Sequence, residues 1–180
     1  WVKAYGPIAA ETTAALAKMP TGARNEQGTK TKDRTGWLDP KKDADKIFPI
    51  GTLYRNDEWS SFFDPVFAGF AVGRSYEEPG FFSATMAQGS YKPNAPVRRT
   101  LEGCKVARSI ADLSLVASEK EALMPPGQRF QITSIKVEDT KTGKTKHVDD
   151  PLKKHPDGDK GQNAFNRPVL IWHVKLKHVA

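Results

Sequence analysis

The chain has 180 residues and a formal net charge of +7, from 28 Lys and Arg against 21 Asp and Glu. Its length suits one domain of ordinary size rather than two, and 38% hydrophobic with 27% charged residues falls in the range of water-soluble globular proteins. No apolar run approaches the ~20 residues that cross a bilayer as a helix, and one cysteine excludes an internal disulfide or a cysteine-rich metal site. The excess of positive charge favours acidic partners: nucleic acid, an acidic protein surface or a phosphate-bearing cofactor. The opening residues WVKAYGPIAA lack the segments of a signal peptide and start at Trp1, as a piece of a longer polypeptide would.

Ile8 to Met19, IAAETTAALAKM, spaces its apolar residues as a short helix does, with Lys late, and Pro20 and Gly22 end it. Residues 21–46 are nearly all polar, hold only Trp37 and Leu38 as large apolar anchors, and read as a long surface loop or a strap for a partner. Ile50, Leu53 and Tyr54 then mark a strand. Trp59, Phe62, Phe63, Phe67 and Phe70 follow as core aromatics with a short helix, ligand stacking being the alternative use. GFFSATMA, bounded by Gly80, reads as a strand, while TLEGCKVARSIADLSLVA fits neither period cleanly. Within it Cys104 is expected to be a buried small hydrophobe, with a nucleophilic role as the other reading.

QRFQITSIKVED alternates in strand fashion through Phe130, Ile132 and the Ser134-Ile135 region. A polar, basic insertion covers residues 139–161, and PVLIWHVKLKHV carries the strongest strand pattern of the chain in Val169, Ile171 or Leu170, Trp172, Val174 and Leu176. The last two strands bracket that insertion, so they are expected to pair as a long-loop hairpin. The organisation is then a single domain over 1–180, with helix and polar loop in 1–46 and core in 47–180. No internal repeat, Gly-rich phosphate loop, dinucleotide fingerprint, HExxH or paired CxxC is present.

The chemistry-bearing stretch is SEKEALMPPG, residues 118–127. Read as a strand, it puts Glu119 and Glu121 on one side and Ala122 and Met124 on the other. Pro125 and Pro126 stop any helix, and Gly127 supplies a positive φ for the chain to reverse. Two acids flanking a lysine also occur at ordinary surface strand edges, so the pattern alone leaves a catalytic and a solvated reading open.

The run Glu119 to Gly127, followed by the strand Arg129-Phe130-Gln131-Ile132, resembles the acidic motif of the mono-ADP-ribosyltransferases, in the Arg-Ser-Glu class related to cholera toxin. Two earlier segments resemble the rest of that family's ordered pattern: Leu53-Tyr54-Arg55 as the arginine strand and Phe81-Phe82-Ser83-Ala84-Thr85 as the serine strand. Ala84 stands where the family has Thr, and Thr85 where it has the second Ser. The likeness covers roughly 48–135. It implies an α+β fold in which two small packed β-sheets form an NAD cleft flanked by N-terminal helices.

The resemblance implies NAD as substrate, no metal, and no membrane partner. Glu121 would hold the ribose hydroxyl and stabilise the cation that develops as nicotinamide departs; Ser83 would orient it; and Glu119 would position an incoming arginine side chain. Arg55 and Tyr54, with Ser83, Thr85 and Phe82, would bind the cofactor, Phe81 and Phe82 stacking on nicotinamide or packing in the core. The acceptor is expected to be a protein arginine or a nucleic acid such as RNA. A secreted or injected toxin domain acting in the cytoplasm of a target cell, with a cognate immunity protein, is the biological setting that the resemblance implies. A non-catalytic nucleic-acid-binding module using the lysines of 141–160, and an NAD glycohydrolase with water as acceptor, are the competing readings.

Overall fold

The computed structural model describes residues 2–18, 23–24, 47–48, 50–57, 71–89, 92, 94–111, 117–148 and 170–179. The anchors Trp37 and Leu38, the aromatic run from Trp59 to Phe70, and 149–169 of the basic insertion lie outside the described residues. The N-terminal helix α1 covers Val2–Lys18 and keeps Lys18 in its last turn, where a cation complements the helix dipole. It begins six residues before the predicted start. Gly6 and Pro7 each disfavour a helix interior, which is why the sequence pattern becomes helical only after them.

The strands are β1 (Ala23–Arg24), β2 (Ile47–Phe48), β3 (Thr52–Asp57), β4 (Ser75–Glu78), β5 (Phe82–Thr85), β6 (Val97–Glu102), β7 (Arg108–Ser109), β8 (Glu121–Met124), β9 (Gln128–Asp139), β10 (Thr145–His147) and β11 (Leu170–Val179). β1 and β2 pair with each other; the remaining nine form one sheet in the order β10-β9-β11-β6-β3-β5-β8-β7, with β4 also on β9. β11 runs antiparallel to β9, as the expected hairpin requires, and parallel to β6. Its alternate residues Trp172, Val174 and Leu176 are buried, while Lys175 and Lys177 are exposed. Phe130, Ile132, Leu53, Val97 and Leu101 complete the same core.

Burial along β9 changes phase partway, from Phe130 and Ile132 to Ile135 and Val137. The register with β11 shifts at the same place: Leu176 faces Ile132 but Lys175 faces Ser134, leaving Thr133 as an extra residue. Such a bulge is the device by which one strand keeps its apolar residues on the core after a change of period. The Thr133 hydroxyl donates to the Lys175 carbonyl at 3.2 Å and fastens the irregular point.

Among the described residues, apart from the short β1–β2 pair, the strands join in one hydrogen-bonded sheet that is nearly divided, where a pair of packed sheets was expected. β3 and β6 pair over six residues, but β3 meets β5 at a single position, Tyr54 opposite Thr85. Beyond it, β5, β8 and β7 form a three-stranded wing. Among the described residues there is one α-helix where several flanking helices were expected, and it is not long and apolar enough to cross a membrane.

Candidate active site

Where β3 parts from β5 a cleft of about 360 Å³ opens, lined by Tyr54, Arg55, Asn56, Asp57, Ser83, Ala84, Thr85, Lys92, Glu119 and Glu121. The sheet registers bring this set together from three distant segments. Tyr54 is opposite Thr85, and Thr85 is opposite Glu121, so the arginine, serine and acidic segments meet at one level.

On β5 the period-two rule places Phe82 and Ala84 in the core and Ser83 on the opposite face. The Ser83 hydroxyl donates to Oε1 of Glu121, which fixes that carboxylate against the wing. The Thr85 hydroxyl donates to the backbone carbonyl of Glu119 and accepts from the Ala87 N–H at 3.0 Å. Thr85 therefore ties down the acidic turn by its backbone and leaves the Glu119 carboxylate free of that role.

Glu121 opens β8, but Glu119 does not share the strand with it. Glu119 ends a 3₁₀ turn, Ala117–Glu119, and Lys120 takes a positive φ of 47° before the strand begins. The expectation of two acids alternating along one strand is corrected at this point. Both carboxylates still border the cleft, because the turn is held from either side: Met86 N–H donates to the Lys120 carbonyl at 3.0 Å and Ile110 N–H to the Glu121 carbonyl at 2.9 Å. Gly127 has φ 78°, as the turn behind the acids demands, and its N–H bonds the Glu78 carbonyl at 2.9 Å.

Arg55 is 32% exposed and is anchored by two bonds, Nε to Asp57 Oδ1 at 2.8 Å and Nη1 to the Ser83 carbonyl at 3.2 Å. The second of these spans the gap between β3 and β5. Cross-strand register sets Arg55 directly opposite Arg99, an arrangement that repels. Asp57 resolves it: one carboxylate oxygen takes Arg55 and the other takes Arg99 Nε at 2.6 Å, with both Asp57 and Arg99 only 5% exposed. Burial alone would raise the Asp57 carboxyl, but Arg99 and then Arg55 overcome it and hold the group below the usual carboxylate range. Arg99 Nη1 also donates to the Tyr76 hydroxyl at 3.1 Å and lies 3.7 Å from Glu78.

Phe82 has no exposed surface. The Arg55 and Arg99 guanidinium carbons lie 4.7 and 4.9 Å from its ring centroid, and Phe130 packs beside it at 5.9 Å. Of the two expected uses of this ring, ligand stacking and core packing, its burial fits the second; it supports the two arginines, a cation–π contact worth about 1–2 kcal/mol when desolvated. Phe81 is half-buried and does not line the cleft. Cys104 is fully buried and its thiol is pushed up to about 12 by that burial, which leaves a packing role.

Asn56, Asp57, Lys92 and Arg99 belong to the site or its support and were not singled out in the sequence. Asp57 was within reach, because two residues along a strand shares the face of Arg55. Arg99 was not, since its partnership depends on the β3–β6 register. Lys92 reaches the cleft through its loop, where its carbonyl accepts from Asn56 Nδ2 at 3.3 Å.

No protein-family pattern matches the chain and no curated protein sequence matches it. In fold it is similar to the catalytic domain of VahC from Aeromonas hydrophila, with 16% identity and a TM-score of 0.50 over 98% of this chain and 71% of that one. Plx2a, an ADP-ribosyltransferase toxin from Paenibacillus larvae, is 16% identical with a TM-score of 0.48 over 98% of this chain and 82% of its own. The type III effector XopAI from Xanthomonas axonopodis pv. citri is 18% identical with a TM-score of 0.45 over 74% of this chain, which spans only 45% of that structure. At such identities the likeness is one of fold alone; the described residues form mainly a β-sheet, with one helix.

Proposed function

We propose that this domain transfers ADP-ribose from NAD to a macromolecule. The observation that carries the reading is the Ser83–Glu121 hydrogen bond on one wall of the cleft, with Arg55 bound to the Ser83 backbone across the gap. In NAD the bond between the ribose carbon and the nicotinamide nitrogen breaks, its electron pair leaves with the ring, and the pyridinium becomes neutral without needing a proton. Positive charge then develops on the sugar. Glu121, oriented by Ser83, holds the ribose hydroxyl and stabilises that charge, a preorganised effect of a few kcal/mol in a shielded site. Arg55, a forked and permanent cation, binds the phosphates. Tyr54 and Thr85 border the same space and complete the cofactor site.

Glu119 supports the choice of acceptor. Its position at the lip suits binding of a guanidinium and removal of its proton as nitrogen attacks the sugar carbon, so a protein arginine is the favoured acceptor. We place the activity in the cytoplasm of a target cell, with a neutralising partner in the producer. Labelled NAD in a whole lysate, followed by separate protease and nuclease digestion, tests this: label is expected to be lost to protease. Label lost to nuclease would move the acceptor to RNA, and free ADP-ribose with no labelled polymer would make the enzyme a glycohydrolase. Glu119→Gln is expected to lower transfer by more than it lowers hydrolysis.

A further inference from the structure

The face of the sheet turned away from the core is not a random polar surface. Register aligns His147, Lys136, His173, Arg98 and Asn56 side by side across β10, β9, β11, β6 and β3. The next row runs Ser134, Lys175, Thr100 and Tyr54. Directly opposed side chains in such rows sit about 5 Å apart. Lys177 follows Lys175 on the same face of β11, and both are exposed. The carboxylates of this face lie in rows beyond these two: Glu138, bound to His173 at 2.7 Å, at one end, and Glu102 opposite Lys177 and Glu77 opposite Arg129 at the other.

Both rows lead to the cleft. Asn56 and Tyr54 line it, and the Tyr54 row continues through Thr85 to Glu121. We propose that this face is a docking surface for a single-stranded nucleic acid, held by its phosphates along the sheet up to the cleft rim, a contact separate from the acceptor bound at Glu119. A protein partner would want aromatic or aliphatic anchors at the centre of its interface. Here the central rows offer cations and hydrogen-bonding groups, and Val179 at the far end is the exposed large apolar residue that the face carries among the described residues. Cations with neutral donors between them are what a phosphate backbone binds. Tyr54 stands where the face meets the cleft and belongs to the cofactor site, so its row marks the end of the docking surface.

The surface goes beyond the transfer reaction, and its binding is measured without NAD, so it stands or falls apart from Glu121. The test is fluorescence anisotropy with a labelled mixed-sequence oligoribonucleotide of about 20 nucleotides, from about 50 mM to about 200 mM salt. The parent domain is expected to bind with affinity falling steeply as salt rises. The triple change Lys136→Glu, Lys175→Glu, Lys177→Glu is expected to weaken binding at least about tenfold and to make the log–log salt slope shallower by about 2. The corresponding triple to Gln should act in the same direction less strongly, and carries the test if the Glu triple does not fold. A control triple at exposed cations off these rows, Lys18→Glu, Arg74→Glu and Lys105→Glu, makes the same change in net charge. Equal loss in the control triple, no binding by the parent at about 50 mM salt, or displacement by polyglutamate as effective as by unlabelled RNA would overturn the proposal.

Discussion

Two junctions of the same sheet are built in opposite ways. Between β9 and β11 ten residue pairs lock the register, and the side chains they carry inward form the centre of the core. Between β3 and β5 a single pair, Tyr54 with Thr85, holds the strands together. A complete ladder satisfies its backbone groups internally and leaves no room for a ligand. At the opened ladder, by contrast, the Ser83 carbonyl takes a side-chain donor from Arg55, and the polar residues of three segments face a common space. The cleft is thus a place where sheet formation stops, and the regular half provides the rigidity that lets it stop there.

The largest expected effect comes from breaking the regular junction. Trp172 is fully buried within it, and Trp172→Ala should cost about 3–5 kcal/mol, read as a shift in the midpoint of urea unfolding. Loss of cleft function would accompany that change only because the fold itself is lost. A variant of normal stability would show that the ladder does not carry the domain.

Asp57→Asn strikes the support between the two halves. It leaves the buried Arg99 cation without its carboxylate, and breaking such a pair costs about 3–5 kcal/mol at the upper end of burial; Asp57 also holds Arg55, so NAD affinity should fall with stability. The pH dependence separates this from simple loss of packing. Since the Asp57 carboxyl is lowered in the fold, the unfolded chain takes up the proton first. Its contribution is therefore present above the ordinary carboxylate value of about 4 and is lost as pH falls through the lower folded value. Asp57→Asn should flatten the acid limb of the stability curve. An unchanged limb would mean that Asp57 is not the linked group.

A smaller effect is expected behind the acids. At Gly127 an added methyl meets only Glu77 Oε1 at 3.9 Å, so Gly127→Ala is a test of backbone conformation alone. The φ of 78° should make it cost about 1–2 kcal/mol, a melting-temperature drop of roughly 2–8 °C for a chain of this size. No change would indicate that the turn accepts another conformation.

The regular junction was the more legible of the two. Trp172, Val174 and Leu176 announce β11 by strict alternation, whereas β9 obscures its own pattern because the bulge at Thr133 reverses the phase. The four-residue β4, Ser-Tyr-Glu-Glu, has no apolar alternation to read and forms because β9 offers it an edge. At the cleft, Arg55, Ser83, Thr85, Glu119 and Glu121 were singled out by the order of three motifs, and they border one space. Phe82 was left between a ligand and the core, although alternation with Ser83 already pointed it inward. The 3₁₀ turn at Glu119 depends on a positive φ at a lysine, which no local rule favours. The Asp57–Arg99 pair exists only once β3 and β6 are in register, so it had no local signature.

The central claim is that the Glu121 carboxylate stabilises charge on the NAD ribose. It is tested most directly by comparing NAD turnover and NAD binding in Glu121→Gln and the parent, since the amide is isosteric and retains an acceptor for Ser83. The account predicts turnover lower by about 10²–10³ with NAD affinity within about threefold, below 1 kcal/mol. Equal turnover in the two proteins would contradict it.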